Sequence, residues 1–150
     1  MAVTDDRTRE LIGAPSRDKF KRWHKEGPKT FYGCDIDFLL VSKYPPGIVA
    51  ILDYKPQMRG GALTFSEVLA YNDFKAHGYQ VFIVVAPEPD DWCAFQFARF
   101  DIYEYLNGDW RPDPPRIDLQ KVGDNVDANE YWEWERRLRE QYTAPDLCAR

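Results

Sequence analysis

Three aspartates and one lysine fall on two neighbouring apolar segments of the chain, Asp35 and Asp37 on the first and Asp53 and Lys55 at the end of the second. Residues two apart on a β-strand point to the same face, so each pair shares a face if both segments are strands. In an antiparallel pair, opposite Cβ atoms lie about 4.5–5.5 Å apart. Carboxylates at that separation can bind one hard divalent cation, which relieves their mutual repulsion.

Taken singly, each of these residues has a simpler interpretation, because Asp and Lys at strand ends are usually solvated and Asp35 could close a turn after Gly33 and Cys34. Asp53 is harder to explain in that way. Asp53 directly follows the apolar residues 48–52 and interrupts that run, and aspartate is depleted in strands. An aspartate in that position needs a partner, so the set favours a functional cluster.

The segments that carry these residues are expected to form a hairpin. Residues 31–41 are aromatic and β-branched in character, residues 44–47 are turn-forming (Tyr-Pro-Pro-Gly), and residues 48–54 are again apolar. We therefore expect two antiparallel strands that place the two pairs of polar residues side by side.

A helix and a further strand are expected after the hairpin. Thr64 and Glu67 match a capping box and Gly78 is a typical terminator, which together predict a helix over residues 65–77. Residues 80–86 form a nearly continuous apolar run bounded by turn residues. Such a run is typical of a strand covered on both faces, so we place it in the middle of the sheet.

The remaining segments give weaker signals. Residues 16–26 predict a short basic helix, residues 92–100 are aromatic enough for a strand, and residues 107–125 are expected to be an irregular, proline-rich excursion. A C-terminal helix is expected at about residues 127–142, capped by Asp127. Two i, i+4 ion pairs are expected along it, Glu133 with Arg137 and Glu135 with Arg139.

Length and composition indicate one folded domain. The chain has 150 residues, of which 44% are hydrophobic, and it contains no internal repeat or low-complexity segment. Strands and helices in the order given above favour an α/β fold. We therefore predict a single domain over residues 1–150, with a mixed β-sheet flanked by helices.

Two motifs, together with the order of the elements, resemble the PD-(D/E)XK nuclease superfamily. Asp35-Ile36-Asp37 precedes one apolar run, and Asp53-Tyr54-Lys55 ends the next as a (D/E)xK element. In that superfamily an acid on one strand and a (D/E)xK on the adjacent strand are followed by a helix and another strand. The resemblance covers approximately residues 16–100 and implies a restriction-endonuclease-like core.

The resemblance implies a nuclease, a phosphodiesterase that depends on Mg²⁺ or Mn²⁺. Asp37 and Asp53 would bind the cation, with Asp35 as a further candidate ligand, and Lys55 would orient or deprotonate the attacking water and stabilise the developing charge. Ile36 and Cys34 stand where the superfamily name has proline, so the choice between the two acids stays open. Asp37 is preferred because an apolar run begins directly after it.

A basic cluster before the hairpin is the expected nucleic-acid surface. Between Pro15 and Thr30, six basic residues are opposed by only two acidic residues. The residues assigned to nucleic-acid binding are Arg17, Lys21, Arg22, Lys25 and, in a loop after the hairpin, Arg59. DNA is favoured over RNA. Since specific protein–DNA interfaces bury about 1,000–2,500 Å² of protein surface, a homodimer or a protein partner is expected to enlarge this small footprint.

Charge and composition also define the alternatives. The net charge of −5 argues against an indiscriminate nucleic-acid binder. The competing hypothesis is a catalytically silent binding or adaptor protein with a nuclease fold, which docks through its acidic C-terminal half.

The three cysteines are too far apart for a Cys-x-x-Cys site. The chain lacks a long apolar segment and a basic-then-apolar leader, so a cytoplasmic protein without membrane contact is expected.

Overall fold

A computed structural model describes residues 18–27, 34, 36–58 and 63–143. The chain divides into two compact units, Met1–Cys34 and Asp35–Arg150. In the first unit, residues 18–25 form helix α1, inside the range predicted for a basic helix. Ser16, its expected N-cap, lies outside the described residues. The single domain expected over the whole chain stays a prediction.

The second unit is a mixed α/β fold built on a five-stranded sheet. Its strands are β1 (Phe38–Lys43), β2 (Pro46–Lys55), β3 (Val81–Val85), β4 (Phe100–Asp109) and β5 (Arg116–Val126). They lie in chain order across the sheet, and neighbouring strands are antiparallel except for β2 and β3, which are parallel. The predicted α/β class, with a mixed sheet and helices, is confirmed.

The expected hairpin is formed by β1 and β2. Phe38 lies opposite Leu52 at the open end, and Lys43 lies opposite Pro46 next to the turn. The first strand is shorter than expected, because it begins at Phe38, and residues 36 and 37 precede it without strand structure. The antiparallel pairing of β1 and β2 therefore brings the start of β1, which follows Asp37, next to the end of β2, which carries Asp53.

Helix α2 (Phe65–Ala76) follows the hairpin, as predicted. Both hydrogen bonds of its capping box form, one from the backbone N–H of Glu67 to Thr64 Oγ1 and one from the backbone N–H of Thr64 to Glu67 Oε1. Gly78, with φ of 88°, follows the end of the helix in the left-handed region that terminators use. The apolar core between α2 and the sheet contains Ile51, Val68, Tyr71, Ile83 and Tyr105.

Helix α3 (Ala128–Gln141) belongs to a second core, formed by the alternate residues of the same strands. Leu138 is buried with Leu52 and Phe82, and the ring centroids of Trp134 and Phe82 are 5.0 Å apart. Because alternate strand residues point to opposite faces, the two helices cover opposite faces of the sheet. The expectation that residues 80–86 supply a central, doubly covered strand is confirmed by β3.

Two segments differ from their sequence-based predictions. Residues 92–99 are not a strand: Trp92–Phe97 is a 3₁₀-helix that begins after Asp91, whose side chain accepts the backbone N–H of Cys93. Residues 107–125 are not irregular, because they contain the end of β4 and most of β5. The prolines that suggested an irregular segment lie in the short connection between these strands.

The expected ion pairs of α3 are also wrong in detail. Glu133 pairs with Arg136, which also pairs with Glu140, and Arg139 donates to the backbone carbonyl of Tyr44. The helix therefore uses one i, i+3 pair and one i, i+4 pair, both through Arg136, and a contact with the hairpin turn. Within the described ranges, no helix has both the length and the apolar character needed to cross a membrane.

Candidate active site

The hairpin brings the predicted acidic residues together. Asp37 directly precedes β1, and Asp53 lies two residues before the last residue of β2, next to the Phe38–Leu52 pair. The Asp37 carboxylate accepts the backbone N–H of Tyr54, the residue after Asp53, at 2.9 Å, and its proximity raises the pKa of Asp53. The carboxyl groups of Asp37, just before β1, and Asp53, in β2, are therefore neighbours, as the spacing along the sequence suggests.

Asp53 is a buried acid. Asp53 is only 2% exposed, and its Oδ2 accepts a hydrogen bond from the Tyr71 hydroxyl of α2 at 2.6 Å. Burial raises the pKa of Asp53 to about 7, and its contacts with Asp37 and Glu67 act in the same direction. The bond from Tyr71 and the charge of Lys55 oppose this rise. Near neutral pH the group is thus poised between its neutral and ionised forms.

Lys55 lies between two carboxylates. Its Nζ atom is 3.0 Å from Glu67 Oε2 and 3.5 Å from Asp53 Oδ2. Burial alone would lower the pKa of Lys55, but the neighbouring charges of Asp53 and Glu67 outweigh it and raise the pKa. Burial would likewise raise the pKa of Glu67, yet the Thr64 N–H and the Lys55 ammonium lower it overall. Lys55 and Glu67 are therefore a charged pair at neutral pH.

The donor set suits a cation that needs few protein ligands. Mg²⁺ usually takes one or two carboxylates and leaves its other positions to water and substrate phosphate. The adjacent carboxylates of Asp37 and Asp53 fit that requirement. In the part of the chain that the structure describes, no three His, Cys, Asp or Glu side chains are arranged as a metal-binding group. The two acids could therefore hold a cation whose other ligands are water and substrate.

The remaining predicted site residues are not brought to this cluster by any described contact. Asp35, Arg17 and Arg59 lie outside the described residues. Lys21, Arg22 and Lys25 lie on α1 in the first unit. Their proposed contacts with metal or nucleic acid stay predictions.

Glu67 and Tyr71 are site residues that sequence reasoning did not assign. The capping box explains one oxygen of Glu67, so the sequence gives no reason to look for a second partner. A usable signal exists, however, because Glu67 and Tyr71 are four residues apart and share one face of α2. That face meets the strand that carries Asp53 and Lys55.

Comparison of the chain with protein-family models, with curated proteins and with solved structures gives no match. The chemistry of the site therefore has to be argued from its geometry.

Tyr71→Phe tests how Asp53 is held. We expect the variant to lose about 1.5–3 kcal/mol of unfolding free energy at pH 8, the range typical of a hydrogen bond to a charged group. The bond lowers the pKa of Asp53 against the effect of burial, so its loss should cost less at pH 5, where Asp53 is protonated. Urea unfolding in the absence of divalent ions measures both values.

The matched control for this variant is Tyr105→Phe. Tyr105 is also buried, but its hydroxyl donates to the neutral Oδ1 of Asn72 at 2.7 Å. Its loss should cost the same at pH 5 and pH 8. An equal pH dependence in both variants would contradict the assignment of the Tyr71 bond to an ionising partner.

Proposed function

We propose that the chain is a metal-dependent nuclease that hydrolyses phosphodiester bonds, with DNA favoured over RNA. One observation carries the proposal: Asp37, just before β1, lies beside the buried Asp53 of β2, and the Lys55 ammonium is 3.5 Å from Asp53 Oδ2. The order hairpin, α2 and parallel β3 supports the restriction-endonuclease-like core that the sequence resemblance implies.

Each residue has a distinct role in this mechanism. Asp37 and Asp53 would hold Mg²⁺ or Mn²⁺, which supplies Lewis acidity toward a phosphoryl oxygen and makes a bound water more acidic. The raised pKa of Lys55 favours the protonated form, so Lys55 is better suited to orient the water and stabilise developing negative charge than to act as a base. No covalent nucleophile is needed.

Metal binding separates this proposal from the adaptor hypothesis. We expect wild-type protein to bind Mn²⁺ in isothermal titration calorimetry and Asp53→Asn to lose that binding, because the substitution removes an anionic oxygen ligand from a site with few ligands. Asp109→Asn, at a half-buried acid paired with Arg111, is the control and should bind as wild type does. Unchanged binding in Asp53→Asn, or no binding by wild type, favours a silent adaptor.

The basic residues of α1 are proposed to contact phosphates. Lys21→Glu and Lys25→Glu should weaken DNA binding equally for all DNA sequences. Each lost contact should reduce the slope of log binding constant against log salt concentration by about 1 in magnitude. Fluorescence anisotropy in EDTA at several salt concentrations measures the slope. Lys43→Glu, at the turn end of β1, is the control. A slope that is the same in all three variants and in wild type would show that α1 makes no phosphate contact.

A further inference from the structure

We propose that Glu67 is a positioning residue that holds the Lys55 ammonium and keeps it from closing onto Asp53; the inference rests on the nuclease function proposed above. Both Glu67 oxygens are engaged. Oε1 accepts the backbone N–H of Thr64 at 3.0 Å and the Thr64 hydroxyl at 3.2 Å, and Oε2 accepts from Lys55 at 3.0 Å. The carboxylate is therefore fixed to the start of α2 on one side and to the lysine on the other.

The two contacts of Lys55 are unequal. The distance to Glu67 is within normal hydrogen-bond length, whereas the 3.5 Å distance to Asp53 Oδ2 is beyond it. A lysine ammonium sits on a flexible four-carbon stem. Asp53 and Lys55 share a face of β2, so the strand itself leaves the ammonium free to approach Asp53. The contact that draws it away comes from a different element, helix α2.

The capping box alone does not explain this contact. Helix α3 begins with a second capping box, in which Glu130 accepts the backbone N–H of Asp127. Glu130 is exposed, and its described ion pairs and hydrogen bonds include none to a lysine. The Glu67 side chain is only 14% exposed and uses its second oxygen for Lys55. A helix start can thus be capped without holding a lysine, and the two boxes supply a matched comparison.

The position of Lys55 affects the proposed cation site. If the ammonium moved onto Asp53, it would occupy the carboxylate that the cation needs and repel the cation through its own charge. Glu67 instead leaves Lys55 close enough to act on a substrate while its ammonium stays 3.5 Å from Asp53 Oδ2. Removal of the Glu67 carboxylate should weaken cation binding mainly through Lys55, although Glu67 also adds negative charge near Asp53.

A double-mutant cycle separates these two effects. We expect Glu67→Ala to weaken Mn²⁺ binding by about 10-fold and to reduce kcat at least as much, a loss of the size found for residues just outside the ligands of a metal. In the Lys55→Ala background the same substitution should change Mn²⁺ affinity by less than about 2-fold. Glu130→Ala, which removes the equivalent capping residue of α3, should change neither quantity.

The position of the ammonium can also be measured without metal or substrate. In ¹⁵N-labelled, metal-free protein, we expect a slowly exchanging Lys55 ammonium signal in wild type and in Glu130→Ala, assigned by its absence in Lys55→Ala. The signal should be lost in Glu67→Ala. If Glu67→Ala does not fold, Glu67→Gln retains a residue suited to a capping box and should show a weakened Lys55 signal.

The outcomes are distinguishable. A Lys55 signal that persists in folded Glu67→Ala, or an equal loss of Mn²⁺ affinity in the wild-type and Lys55→Ala backgrounds, overturns the positioning role. A wild-type protein that binds no Mn²⁺ and cleaves nothing, yet loses the Lys55 signal in Glu67→Ala, overturns the nuclease function and leaves the positioning contact intact.

Discussion

Lys55→Ala is expected to reduce cleavage by about 10²–10³-fold or more, the loss typical of removing one donor that stabilises transition-state charge. Mn²⁺ binding should be retained. A protonated amine has no lone pair to give to a metal, so Lys55 cannot be a ligand in the form that its environment favours. Binding should even tighten slightly, because a positive charge near the cation has been removed. Single-turnover cleavage and calorimetry measure the two quantities.

Asp53→Asn is the contrasting variant and should lose both cleavage and metal binding. Both proteins must first be shown to be folded, by circular dichroism and thermal unfolding, since Asp53 is buried and Lys55 ends the same strand. A folded Lys55→Ala protein that cleaves as fast as wild type would remove Lys55 from the mechanism.

Asp53→Asn is also expected to stabilise the metal-free fold at pH 8. Burial raises the pKa of Asp53 from 3.8 to about 7, so the folded protein retains a proton that the unfolded chain releases between these values. The stability contributed by the protonated acid is therefore fully present below pH 4 and is lost as pH rises toward 7. The ionised group costs on the order of 2–4 kcal/mol at pH 8, and asparagine removes that cost.

Urea unfolding in EDTA at pH 5 and pH 8 measures this effect. The wild-type protein should be less stable at the higher pH through Asp53, and Asp53→Asn should lose that part of the dependence. Asp109→Asn is the control of opposite sign, since hydrogen bonds from Arg111 lower the pKa of Asp109. If Asp53→Asn destabilises the protein at pH 8, the Asp53 carboxylate contributes to the stability of the fold. The idea that its burial lowers stability and serves metal binding would then be wrong.

Local signals predict much of the fold. The capping residues Thr64 and Glu67 and the terminator Gly78 define α2 almost to the residue, because caps act within one turn of the chain. The apolar run of β3 also predicts its central place, since a strand covered on both faces can bury consecutive side chains, as β3 does over its first four residues.

The segments that were predicted wrongly depend on tertiary context. Trp92–Phe97 is aromatic enough for a strand, but Asp91 starts a 3₁₀ turn that composition does not reveal. β5 is an edge strand with exposed polar residues, so its sequence lacks the apolar run by which β3 is recognised. Its partner β4 extends through residues 107–109, where the sequence suggested a loop.

The candidate site divides in the same way. The proximity of Asp37 and Asp53 follows from strand periodicity and a hairpin, both of which are visible in the sequence. The contacts of Glu67 and Tyr71 depend on how α2 docks on the sheet, which local patterns do not specify. Sequence reasoning therefore finds the acids and the lysine but not the helix residues that hold them.

The most direct measurement is a cleavage screen with purified chain on single-stranded, duplex and branched DNA and on RNA, with Mg²⁺ or Mn²⁺ and with EDTA. Asp53→Asn, purified in the same way, serves as the blank. The proposed nuclease centre requires that wild type cleave at least one of these substrates only when a divalent ion is present, and that Asp53→Asn leave it intact. No product from any substrate, or equal product from the folded Asp53→Asn protein, would contradict the assignment of Asp37, Asp53 and Lys55 as a catalytic centre.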